Sequence, residues 1–138
     1  MVVYWDASAL VPLLLRETTS ARYRSAAREE QVVTWWGSPV ECAAAIERRA
    51  RAGEPPESVA AAFRNLTELL SQWREIHPND ILRRTAIRFV RTAGVRAGDA
   101  LHLAAAMLAS HFEPNIVRFL SEDLRLKRVA EREGFVVD

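Results

Sequence analysis

The chain opens on Val2-Val3-Tyr4-Trp5, an apolar run with no polar break, and passes directly into Asp6. An unalternating apolar run of this kind predicts a strand covered on both faces. That requirement constrains the whole fold, because both faces of a sheet are covered only when helices lie on each side of it. Four further short strands are expected: Gln31 to Trp36, Ile116 to Leu120 and Gly134 to Val137 from their apolar residues, and Trp73 to His77 mainly from its position before Pro78.

Longer stretches with helical spacing separate these runs. Val59, Phe63, Leu66, Leu70 and Trp73 recur at steps of four and three, and Pro55-Pro56 precede them, where proline is tolerated. Leu82, Ala86, Phe89, Val90 and Ala93 form a second stripe, with Gly94 placed to end the helix. Asp99 to Ser110 is apolar on most sides and predicts a central, buried helix. Leu126, Val129 and Ala130 mark a last helix closed by Gly134, and shorter helices are expected over Ser8 to Leu15 and Thr18 to Arg28. Strands alternating with helices give right-handed crossovers, so the expected fold is α/β: a three-layer α/β/α sandwich around a parallel sheet of about five strands. With 138 residues, 1–138 forms a single domain.

Composition removes several classes of function. Apolar residues make up 49% and charged residues 27%, as in an ordinary globular domain and unlike a disordered chain. No apolar run reaches the roughly 18 residues needed to span a bilayer, and no basic segment precedes Ala7 to Leu15 to make it a signal peptide. Cys42 is the single cysteine, which excludes an internal disulfide and a cysteine-based zinc site and leads to the expectation of a cytoplasmic setting. Neither GxGxxG nor GxxxxGK[ST] occurs, so the common phosphate-cradling loops are missing. Net charge is +1, and every basic residue except Lys127 is Arg, whose planar fork suits phosphate. An Arg- and Ala-rich composition also results from a GC-rich coding sequence, so the bias by itself identifies no partner.

The acidic residues are more informative. In open α/β sheets ligands bind beyond the carboxyl ends of the strands. Asp6 follows the first strand, Ser121 and Asp123 follow the fourth, Glu41 falls in the first turn after the second, and Asp99 opens the long apolar helix. Each has a structural explanation. Ser38-Pro39-Val40-Glu41 has the form of a capping box, Asp6 can cap the helix near Ser8, and Asp99 and Asp123 sit in first turns where the helix dipole favours an anion. Taken together, however, four carboxylates on one sheet edge would repel. A helix dipole contributes under about 1 kcal/mol, against roughly 4 kcal/mol per pair at 4 Å and an effective dielectric of 20. A divalent cation resolves the conflict, and oxygen donors alone suit Mg²⁺ or Mn²⁺.

These segments resemble a known family. Val3-Tyr4-Trp5-Asp6-Ala7-Ser8-Ala9-Leu10 is similar to the opening of a PIN domain, and Val40-Glu41 with the helix through Arg51 is similar to its second acidic segment. Val95-Arg96-Ala97-Gly98-Asp99-Ala100-Leu101-His102-Leu103-Ala104 resembles its most recognisable motif, and Phe119-Leu120-Ser121-Glu122-Asp123 its last. Size and opening look most like the VapC-type toxins of toxin–antitoxin modules. The resemblance implies a Mg²⁺- or Mn²⁺-dependent endoribonuclease acting on RNA, neutralised by a cognate VapB-like antitoxin and forming a homodimer. It implies Asp6, Glu41 and Asp99 as metal carboxylates, with Asp123 completing the cluster. Ser121 would orient an acid or the scissile phosphate, and Ser8 would support it.

Other residues receive structural readings. His102 shares a helix face with Asp99 but is expected to be a packed histidine, and Cys42 a buried one. Trp35 and Trp36 are expected to pack or to join a subunit interface rather than to stack on bases. Arg48, Arg49, Arg51 and Arg96 could reach RNA phosphates, whereas Arg83, Arg84, Arg88 and Arg91 are expected on a solvated helix face. The alternative reading is a PIN-like module without catalysis that binds RNA or a protein.

Overall fold

A computed structural model describes every residue from Met1 to Asp138. Four strands form its sheet: β1 (Val2–Trp5), β2 (Val33–Trp35), β3 (Arg74–Ile76) and β4 (Val117–Leu120). All pairs are parallel and the order is β3-β2-β1-β4. Six helices connect them and a seventh follows β4: α1 (Ala7–Leu14), α2 (Ser20–Glu29), α3 (Ser38–Arg51), α4 (Pro56–Leu70), α5 (Asp80–Ala93), α6 (Ala97–Ala109) and α7 (Leu124–Arg132).

The side chains of β1 explain its unbroken apolar sequence. Val3 and Trp5 enter one core with α1, α2, α3 and α4, while Tyr4 enters the other with α5, α6 and α7. Tyr4 and Trp5 have no exposed surface. The alternation of a strand therefore sends successive residues into two separate interiors, and both must be apolar. This is the expected three-layer α/β/α sandwich. Helix α6 fits its composition: Ala100 and Leu103 to Met107 are buried, and its small residues allow close approach to α5 and the sheet.

The fifth strand expected at Gly134 to Val137 is reduced to one bridge between Val136 and Arg118. The Phe135 amide is bonded to the Ala130 carbonyl at the end of α7, and its ring packs on Phe119 in the core. Only Val136 is then free to meet β4, so the sheet has four strands. Helix boundaries track the punctuation of the sequence. Gly94 ends α5 with φ +66°, a left-handed conformation that glycine adopts without strain. Helix α4 stops at Leu70, and Trp73 is buried in the turn before β3.

The capping box at Ser38 does not form. Gly37 precedes the first turn of α3, and the Ser38 hydroxyl instead donates to Thr34 Oγ1 at 2.6 Å, which in turn donates to the Trp5 carbonyl at 2.7 Å. Both hydroxyls are fully buried, and buried polar atoms need partners more than the exposed start of a helix needs a cap. Glu41 is thereby released from a capping role. No helix is long and apolar enough to cross a membrane.

Gly37 sets the turn from β2 into α3, and a Cβ at this position would land on the indole ring of Trp35. Gly37→Ala is therefore expected to cost about 1–3 kcal/mol, the range for overpacking. Urea unfolding would show it as a lower midpoint at unchanged slope. A variant as stable as the parent would mean that this close approach is not required.

Candidate active site

The chain runs from β1 outward through β2 to β3 and returns to β4 on the other side of β1. The strand order therefore reverses at β1, and the crevice beyond β1 and β4 is where an open α/β sheet binds ligands. Parallel register pairs Trp5 with Leu120, so the next residues, Asp6 and Ser121, leave the sheet side by side.

Asp6 is 4% exposed and tightly held. Its Oδ1 accepts from the Ala9 amide at 3.2 Å, capping α1, and from the Ser8 hydroxyl at 2.7 Å. Its Oδ2 accepts from Ser121 Oγ at 3.0 Å. The two hydroxyls are themselves fixed: Ser8 Oγ accepts from the Glu122 amide at 2.8 Å, and Ser121 Oγ from the Asp123 amide at 2.9 Å. Each serine has one proton and gives it to Asp6, so the β4 loop and the start of α1 are joined through this carboxylate. Burial raises the Asp6 carboxyl above its ordinary pKa, opposed by the charge of His102 and by these hydrogen bonds.

Glu41 and Asp99 lie in the first turns of α3 and α6. Both Glu41 oxygens lie close to His102 Nε2, at 3.0 and 3.1 Å. The other ring nitrogen of His102, Nδ1, is 2.8 Å from the Tyr4 hydroxyl. A carboxylate only accepts, so Nε2 carries a proton. Burial disfavours the charged imidazole, but the hydrogen bond and charge of Glu41, with the charges of Asp6 and Asp99, outweigh it and raise the His102 pKa. Asp99 is half-buried; burial raises its carboxyl, and the charges of Asp123 and Glu41 raise it further against His102 and Arg96. Asp123 is exposed and caps α7, its Oδ1 accepting from the Arg125 and Leu126 amides at 2.9 and 3.3 Å.

The residues singled out in the sequence are thus gathered at one end of the sheet, with His102 among them. The histidine is packed, as expected, at 2% exposure, but it is also the hydrogen-bond partner of Glu41. The Tyr4–His102–Glu41 chain joins residues far apart in sequence and lies outside the expectations above. Its signal in the sequence is a polar ring three residues after Asp99 in an otherwise apolar helix. Cys42 is buried, and burial with the charges of Glu41 and Asp6 pushes its thiol up to about 12. Trp35 and Trp36 form an edge-on pair at 6.2 Å, with Trp36 half exposed.

The four carboxylates offer only oxygen donors, a set that suits a hard divalent cation; the Asp99 carboxyl is raised by burial and by Asp123 and Glu41, the Asp6 carboxyl by burial alone. No three of the Asp, Glu, His and Cys side chains stand close enough together to form a closed ion cage. Asp6 is turned to its serines, Glu41 to His102 and Asp123 to the amides of α7, so the donors fit a cation by type while three of the four are held by protein partners.

Comparison with known proteins agrees with the fold. A crystal structure of PAE2754 from Pyrobaculum aerophilum superposes with a TM-score of 0.72 at 22% identity, covering 99% of this chain and 83% of that one. No curated protein matches the sequence. The family model described as PIN domain matches residues 3–132, a span that includes every acidic residue of the crevice, and the chain belongs to the PIN domain family.

Proposed function

We propose that this protein is a divalent-cation-dependent endoribonuclease of the toxin type, with Asp6, Glu41, Asp99 and Asp123 as the carboxylates that would hold Mg²⁺ or Mn²⁺. PIN domains are generally metal-dependent nucleases, and the chain has their fold. The observation that carries the reading is electrostatic. One buried imidazole, His102, feels the charges of Glu41, Asp6 and Asp99, acids drawn from three segments of the sequence. Gathering several like charges costs a fold stability unless a cation offsets them.

When bound, such an ion supplies charge neutralisation at a phosphodiester and a more acidic water. The protein's own groups supply position. Ser8 and Ser121 keep both oxygens of Asp6 in one orientation, Tyr4 and His102 fix the rotamer of Glu41, and capping fixes Asp123. Water attack that breaks the P–O3′ bond would leave a 5′-phosphate and a 3′-hydroxyl. The cognate VapB-like antitoxin, a homodimer and a cytoplasmic setting belong to the same reading. The second reading, a silent PIN-like module that binds RNA or protein, is favoured by one feature: the Glu41 carboxylate is already bonded to His102. Mn²⁺ titration separates the two, since a silent module need not bind the ion through Asp6, Glu41 and Asp99.

Asp6→Asn and Asp99→Asn are each expected to lower cleavage of single-stranded RNA on the order of 10²-fold or more, with circular dichroism unchanged. Excess EDTA is expected to abolish cleavage. Undiminished activity in either variant, or in EDTA, would refute the assignment.

The same charges predict how stability depends on pH without metal. The carboxyls of Asp6 and Asp99 are raised from 3.8, so their cost is absent below that value and complete once pH passes the raised one. The imidazole of His102 is raised from 6.5, so its stabilisation is full below that value and lost as pH climbs through the raised one. In both cases the folded chain holds more protons than the unfolded chain, and stability falls as pH rises. In EDTA the melting temperature is expected to be lower at about pH 8 than at about pH 5.5. Mg²⁺ or Mn²⁺ should recover more of it at the higher pH. A melting temperature that rises over this interval, or that ignores the ion, would count against a strained acid cluster.

A further inference from the structure

A groove of about 360 Å³ opens beside Asp99 and Asp123, between the α5–α6 turn and α7. Arg96 lies on the first wall, and Arg125, Arg128 and Arg132 on the second. All four guanidinium-bearing residues are exposed. The arginines that form ion pairs are Arg22, Arg49, Arg83 and Arg118, so none of the groove's four is tied in an ion pair, although Arg96 lies within the field of Asp99.

The spacing has a direction. Arg125, Arg128 and Arg132 succeed one another at three and four residues, which aligns them along one face of α7. Leu126 and Ala130, on the other face, are buried in the core. The stripe begins two residues after Asp123, the cap of α7, and leads away from the acids for about 10 Å at 1.5 Å per residue. A nucleic-acid strand carries a phosphate roughly every 3.4 Å of helical rise, so this length meets more than one. The arginines of α5 differ: Arg84, Arg88 and Arg91 line a surface hollow formed by that helix alone, with no second wall and no acid.

We infer that the Arg96–Arg125–Arg128–Arg132 groove binds the sugar–phosphate backbone of single-stranded RNA and leads the strand into the carboxylates at Asp99 and Asp123. Four unpaired guanidinium groups attract a polyanion, and their planar forks match phosphate oxygens in bidentate fashion. Backbone interactions of this kind set the path of a strand without reading its bases. The inference rests on the nuclease reading for where the strand leads, and not for the binding itself.

The test measures binding with cleavage disabled. Asp99→Asn protein is titrated with a fluorescent oligouridine of about a dozen nucleotides at several salt concentrations. Adding Arg125→Gln and Arg128→Gln is expected to weaken binding tenfold or more and to flatten the log K against log salt slope by about 1.4, or 0.7 for each phosphate that is no longer neutralised. Arg84→Gln with Arg88→Gln removes the same charge from α5 and is expected to leave both quantities unchanged. The inference is overturned if the parent does not bind oligouridine, if the groove variant and the α5 variant behave alike, or if oligoglutamate of equal charge competes as well as RNA, which would make the groove an acidic-protein site. If wild-type protein with Mn²⁺ cleaves no RNA while the groove variant still loses binding, the nuclease reading fails and this one stands. If cleavage occurs and the groove variant binds like the parent, the reverse holds.

Discussion

The structure depends on one strand being covered from both sides. β1 is flanked by β2 and β4, and its side chains alternate between two cores. A strand so enclosed has almost no freedom in register or tilt, and the next residue in the chain inherits that rigidity. Asp6 is that residue. Its neighbour across the sheet edge, Ser121, is fixed by the same pairing, and the hydrogen bond between them ties two segments separated by 115 positions. The position of the acid is a consequence of strand packing rather than of any local preference around Asp6.

Around this fixed point the other acids are placed by helix starts. Glu41, Asp99 and Asp123 occupy the openings of α3, α6 and α7, where the dipole tolerates an anion; α6 and α7 pack on the sheet and α3 packs on α1 and α4. The favourable field at each helix start is small, while the mutual repulsion is larger once the acids share a crevice. His102 relieves part of it. Its ring sits within the field of three acids, anchored on the far side by the Tyr4 hydroxyl. The site is therefore strained electrostatically but well ordered in its hydrogen bonding, the combination that preorganisation requires.

Much of this is legible in the sequence because it rests on period and punctuation. The apolar opening, the stripe ending at Gly94 and the small-residue helix after Asp99 all report burial directly, and burial is what the structure shows for them. The features that are not legible depend on choices among partners. Ser38 and Glu41 have the spacing of a capping box, yet two buried hydroxyls pair with one another and the carboxylate turns to a histidine 61 residues away. Local spacing cannot express that competition. The missing fifth strand has a similar origin: Phe135 is drawn into the core and tied to α7, so a run that looks like a strand contributes one bridge. The arginine stripe on α7 has the period of an ordinary solvated face, and only the facing wall that carries Arg96 makes it a groove.

The burial of Cys42 has a practical consequence. Its thiol, next to Glu41 and without exposed surface, is held protonated far above neutrality, and only a thiolate reacts at useful speed with alkylating reagents or disulfides. The folded chain should therefore resist maleimide, iodoacetamide and oxidised glutathione, and become reactive only when α3 separates from α1 and α4. With one cysteine in the sequence, the protein carries a built-in chemical clock for the opening of the helix that bears Glu41.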